Sequence, residues 1–112
     1  MVRRGEIYIV SFDQARGYEQ GGVRPTLVIQ NDEGNEFAST TIVAAMSSQH
    51  RDYPVRVKVS PKQSGLREPS SVMLVQIRTI SQARLGKKVG QLTQDKIEEV
   101  DEALHRSLGL LD

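Results

Sequence analysis

The sequence predicts a mainly β domain, curved into a small barrel, with one helix packed on it at the C-terminus. Short apolar runs recur between clusters of Gly, Pro, Asn, Asp and Ser, which is how strands and their turns read. Only the last stretch switches to apolar spacing by threes and fours, the mark of a helix face. At 112 residues the chain is one domain's length, enough to bury a core of its own. Many short strands with a single terminal helix suit a barrel better than a layered α/β fold.

The first strand is GEIYIVSF, with Ile7, Ile9 and Ser11 on one face and Tyr8, Val10 and Phe12 on the other. The polar, glycine-rich stretch 13–23, DQARGYEQGGV, is a long loop. Residues 24–31 form the second strand, where Pro25 is tolerated because it stands at the start. NDEGNEF reads as a turn. TTIVAAMS, residues 40–47, is nearly continuous and apolar, as a strand covered on both faces would be. PVRVKV, residues 54–59, alternates with Arg56 and Lys58 outward.

SPKQSGLREPS is a loop or a short helical turn, and residues 71–80 supply the longest apolar strand. A short strand covers 87–92. The terminal helix begins at Thr93 as N-cap, although Lys96 at the third position breaks the capping-box pattern. Ile97, Val100, Leu104, Leu108 and Leu111 make its apolar face. Acidic residues near its start and Arg106 near its end agree with the helix dipole.

Composition excludes several classes. With no cysteine there are no disulfides, thiolate metal sites or cysteine nucleophiles, which suits a reducing cytoplasm. No apolar stretch approaches the roughly 18 to 20 residues that span a bilayer, so no membrane partner is expected. MVRRGEIYIV lacks the apolar region and cleavage site of a signal peptide and reads as mature chain. Net charge is only +1 but unevenly spread. Between residues 59 and 90 stand Lys62, Arg67, Arg78, Arg84, Lys87 and Lys88 against Glu68 alone, and the last 22 residues are acidic. One basic and one acidic surface follow.

Phosphate-loop, dinucleotide, zinc-protease and nucleophile-elbow motifs are absent. Asp32, Glu33 and Glu36 have no histidine at metal spacing, and no metal or cofactor is expected. His105 reads as a solvated residue of the acidic helix, and His50 as a loop residue that would serve as a proton donor only beside a substrate. What remains is a polar set at strand ends. Arg24 opens one strand behind Gly21-Gly22, Ser47 closes another with Ser48 and Gln49 behind it, and Gln76 and Arg78 share a face of a third. An arginine, a hydroxyl, an amide and a second arginine suit a phosphodiester. Guanidinium makes paired, charge-assisted hydrogen bonds to phosphate oxygens, and the glycines allow close backbone approach. Each residue alone is equally a surface charge, a strand-end hydroxyl or an edge amide. Composition and spacing end at a phosphate-binding β domain.

Taken together, GEIY, EQGGVRPTLVIQND, TTIVAAMSSQ, VQIRTI and KIEEVDEALHRSLGL resemble, in order, the MazF/PemK family of toxin endoribonucleases. The resemblance runs from about Gly5 to Leu111. It implies an SH3-like barrel, a homodimer, metal-independent cutting of single-stranded RNA at short sequence sites, and inhibition by a cognate MazE-like antitoxin. The family's essential arginine follows the Gly-Gly pair and corresponds to Arg24. Its catalytic threonine closes the following long strand, where this chain has Ser47. The hydroxyl is kept and the methyl lost, so the side chain is less restrained. Glu19, Gln20 and Gly22 match the substrate-covering loop, and Gln49, Gln76 and Arg78 match positions along the RNA groove. The implied reaction is attack of a ribose 2′-OH on the adjacent phosphate, with charge stabilisation by Arg24 and Ser47. The same barrel also carries toxins that bind DNA gyrase and cut nothing. That rival needs no convergence of Arg24 and Ser47.

Overall fold

The computed structural model describes residues 1–12, 21–49 and 55–110. Six antiparallel strands form one sheet: β1 (Glu6–Phe12), β2 (Gly22–Val28), β3 (Thr40–Ser47), β4 (Arg56–Val59), β5 (Ser70–Ser81) and β6 (Lys88–Gln91). Their order across the sheet is β4-β5-β3-β2-β1-β6. Three helices accompany them: α1 (Asp32–Phe37), α2 (Pro61–Ser64) and α3 (Gln94–Ser107). The expected mainly β domain with a C-terminal helix is what forms. The sheet curls into a half-barrel, and α2 packs against both edge strands, β4 and β6. Gly90 makes that closure possible. A Cβ there would collide with the Ser64 carbonyl oxygen.

The sheet is apolar on both faces, for two different reasons. Ile7, Leu27, Ala44, Met46, Val57, Val72 and Leu74 join Val100 and Ala103 of α3 in the main core. Each of the larger side chains among them, from Val to Met, contributes roughly 1.5–3 kcal/mol. Alternation sends their neighbours to the other face, where Val10, Phe12, Val28, Val43 and Ile80 form a smaller cluster with Tyr8. Ser107 Oγ donates to the Leu74 carbonyl at 2.6 Å and fastens α3 to β5.

The β3–β5 ladder is interrupted. Ala44 pairs with Ile77 and Met46 with Val72, so Met73–Gln76 lie opposite Ala45 alone. This bulge bends β5. It also exchanges the faces of β5, because three additional residues are an odd number. Arg78 and Ser71 therefore point to the same side although their numbers differ in parity.

Several expectations are corrected. NDEGNEF is a helical turn, α1, not an open turn: the Asn31 side chain accepts from the Gly34 amide at 2.7 Å as its N-cap. Buried Asn35 then accepts from Gln30 Nε2 and Thr41 Oγ1 and donates to the Gln30 carbonyl. Strand β2 begins at Gly22 and ends at Val28. Thr93 is the N-cap of α3 by position, but its side chain makes no capping bond. Instead its hydroxyl pairs with Asp95 and holds that carboxyl below its usual value. Leu108 lies past the helix end and is exposed, while Leu111 falls outside the described residues.

Candidate active site

Strand pairing decides where Arg24 and Ser47 stand. Thr26 pairs with Ala45, Leu27 with Ala44 and Val28 with Val43. Continuing that register by two residues sets Arg24 opposite Ser47. Directly opposed residues of antiparallel strands have Cα atoms about 4.5–5.5 Å apart. Both belong to the face turned away from α3, since Met46 is in the main core and Val10, the β1 partner of Arg24, is in the smaller cluster.

Backbone carbonyls hold the guanidinium in place. Arg24 Nε donates to the Gly21 carbonyl at 3.0 Å and Nη1 to the Met46 carbonyl at 3.0 Å. Two of its five N–H donors are thus used among the described residues. Among the described residues, no carboxylate forms an ion pair with Arg24. Gly22 has φ +80°, a backbone state that only glycine adopts without strain, and it turns the Gly21 carbonyl's segment into β2. The Gly-Gly pair therefore has a definite duty: it feeds the strand and supplies the acceptor that clamps Arg24.

Ser47 is 7% exposed. Its Oγ accepts from the Gln49 amide at 3.1 Å. That bond restrains the side chain that lacks the branching methyl, and it occupies a lone pair, so the hydroxyl proton can be given to another group. The Gln49 backbone thus has a role that its sequence position did not disclose.

A cavity of about 440 Å³ is lined by Arg24, Met46, Ser47, Ser48, Arg67 and Glu68, among others. Arg24, two residues inside β2, and Ser47, at the end of β3, are therefore brought together on one concave surface. Gln76 and Arg78 are on the same face but line neither this cavity nor the one beside it. The Arg78 guanidinium lies 5.3 Å from the centroid of the Phe12 ring, a cation–π stack. Glu19, Gln20 and His50 lie outside the described residues. His105 is exposed on α3, as expected. Among the described residues, no three His, Cys, Asp or Glu side chains are grouped to hold a metal.

Sequence reasoning missed Arg67, Glu68, Ser70 and Ser71 as site residues. Loop SPKQSGLREPS carries the first three, and only the β3–β5–β4 register brings that loop to Ser47.

Residues 3–108 match the family described as PemK-like, MazF-like toxin of type II toxin-antitoxin system. The chain belongs to that family. It is 45% identical over 114 residues to Endoribonuclease EndoA of Bacillus subtilis (strain 168), a match covering 100% of this chain and 98% of that protein. Solved structures agree in fold. An endoribonuclease in complex with its cognate antitoxin from a mycobacterial species superposes with TM-score 0.82 at 24% identity, covering 100% of this chain and 99% of that one. MazF from Deinococcus radiodurans gives 0.81 at 24% identity, with 96% of each chain covered. Arg24 and Ser47 both lie within the matched residues. No helix among the described residues is long and apolar enough to cross a membrane.

Proposed function

We propose that this toxin-family chain is a metal-independent endoribonuclease that cuts single-stranded RNA at short sequence sites and so blocks translation. The observation that carries the reading is that Arg24 and Ser47 line one cavity, with the arginine clamped by the Gly21 and Met46 carbonyls and unmatched by a described carboxylate. The full-length relative named an endoribonuclease supports it.

In the proposed reaction the 2′-oxygen of a ribose attacks its own 3′-phosphorus. The bond from phosphorus to the next 5′-oxygen breaks, leaving a 2′,3′-cyclic phosphate and a 5′-OH. The 2′-OH proton passes to solvent or a base, and the leaving 5′-oxygen takes up a proton. Arg24 faces the charge that grows on the non-bridging oxygens, and the Ser47 hydroxyl donates to one of them. Arginine side chains stay protonated near neutral pH, so charge stabilisation is the role that the chemistry supports. Requirement for the 2′-OH explains a preference for RNA over DNA. Glu19, Gln20, Gly22, Gln49, Gln76 and Arg78 would border the RNA path.

The reading includes a homodimer and a MazE-like antitoxin that covers the basic face with an acidic, apolar segment. A mycobacterial relative is described in complex with its cognate antitoxin. The deciding experiment incubates the purified protein, in EDTA, with a long single-stranded RNA and with its DNA copy, beside Arg24→Ala. Discrete RNA fragments with cyclic-phosphate ends are expected, and none from DNA or from the variant. Intact RNA with a still toxic wild type would sink the nuclease and point to the gyrase-binding toxins of this fold.

A further inference from the structure

Arg24, Ser47, Ser71 and Lys58 stand in one row across four neighbouring strands. Ser47 is registered with Ser71 on β5, and Ser71 with Lys58 on β4. Their neighbours Met46, Val72 and Val57 are in the main core, so the row occupies the opposite face. Strands lie about 4.8 Å apart, which places Lys58 roughly 10 Å from Ser47 along the row. Arg56 shares this face two residues before Lys58.

Over the far half of the row opens a second cavity, of about 370 Å³. Ser47, Ser48 and Ser70 border both cavities, so the two are arms of one trough with Ser47 at the divide. Their charges differ. The Arg24 arm includes Arg67 and Glu68. The far arm carries Arg56 and Lys58 with the hydroxyls of Ser70 and Ser71, and among the described residues no acidic side chain lines it. Among the described residues it also has no aromatic side chain on which a base would stack. Two cations set beside hydroxyl donors suit an anionic oxygen cluster.

We propose that this far arm is a second phosphate subsite: Lys58 and Arg56, assisted by the Ser71 hydroxyl, hold the RNA phosphate adjoining the one cut at Arg24 and Ser47. The proposal rests on the nuclease reading and extends it. A backbone phosphate contact positions the strand and carries no base information. Lys58 therefore sets affinity for any sequence, raising KM when lost while kcat is largely kept.

The test measures binding of a fluorescent, fully 2′-O-methylated mixed-sequence RNA pool, which lacks the attacking hydroxyl, across a range of salt concentrations in EDTA. For a single strand each phosphate contact contributes about 0.7 to the slope of log affinity against log salt. Lys58→Ala is expected to lower the slope by about that amount, Lys58→Arg to restore it, and Lys87→Ala, beside the opposite edge strand, to leave it unchanged. Equal slopes for wild type and Lys58→Ala, or an equal fall with Lys87→Ala, would overturn the subsite. Melting curves confirm that each variant is folded. Unmodified RNA is assayed in parallel to separate the two readings. Cleavage by wild type with unaltered slopes overturns the subsite alone. A lowered slope in a protein that cuts nothing overturns the nuclease and upholds the subsite.

Discussion

The Arg24 side chain donates to the carbonyl of Met46, the residue joined directly to Ser47. The cation and the hydroxyl are thereby tied through one peptide unit. Movement of β3 relative to β2 would break this bond together with the alignment of the site.

That tie predicts different outcomes for two changes at Ser47. Ser47→Ala removes the donor to the non-bridging oxygen and should lower kcat by about 10²–10³, the usual effect of deleting one such donor. Ser47→Thr keeps the hydroxyl and its bond to the Gln49 amide while adding rotamer restraint. It should retain or exceed wild-type kcat. Single-turnover cleavage of a mapped RNA site checks both, and a Thr variant as slow as Ala would remove Ser47 from the chemistry.

Glu6 and Tyr8 predict the limits of pH stability. Burial raises the Glu6 carboxyl, but the Lys88 ammonium at 2.8 Å, the Arg3 amide and the Tyr8 hydroxyl outweigh it and hold the group below its ordinary value. A depressed carboxylate adds stability above the unfolded value of 4.5 and loses it as pH falls through the folded one. Glu6→Gln should therefore melt lower than wild type at pH 7, and the gap should close below pH 4.5. Burial, then the bond to Glu6, pushes the Tyr8 phenol up to about 12 from 10. Its contribution is complete below pH 10 and disappears as pH rises towards 12, so Tyr8→Phe should flatten that alkaline fall. Melting temperatures from pH 3 to 12 test both limbs.

Two glycines separate space from backbone conformation. At Gly90 an added Cβ meets the Ser64 carbonyl oxygen, and the closure between α2 and β6 must open. Gly90→Ala should cost about 1–3 kcal/mol, as overpacking does. At Gly22 nothing stands within 4 Å of the added carbon, but φ is +80°. Gly22→Ala should cost about 1–2 kcal/mol through strain alone and, by shifting the Gly21 carbonyl, reduce cleavage as well. Urea unfolding beside an activity assay distinguishes them. Gly90→Ala should lose stability and keep its specific activity while folded.

Strand β3 was legible to the residue, because TTIVAAMS carries a continuous apolar run covered on both faces. Ser47 was legible as a strand end, whereas Arg24, expected to open its strand, is the third residue of β2, because the strand already begins at Gly22. The helix α1 was not. Gly34 and the Asn and Asp residues around it are turn formers, and what holds them helical is distant. Asn35 bonds to Thr41, and Gln82 Nε2 donates to the carbonyls of Asn35, Ala38 and Thr40. Arg56 and Lys58 were correctly turned outward by alternation. Their kinship with Ser47 was hidden because it passes through Ser71 and two inter-strand registers that local sequence does not encode.

The bulge at Met73–Gln76 gives β5 an arithmetic of its own. Side chains of a strand fall on two faces by odd and even number, and the bulge interchanges the two sets midway. Deleting one residue within it would restore a plain alternation along the strand. Ser71 and Arg78 would then be separated by an even number of steps and would share a face with no exchange between them. A related chain shorter here by one residue should therefore keep both side chains on the cavity side while running straighter through this part of β5.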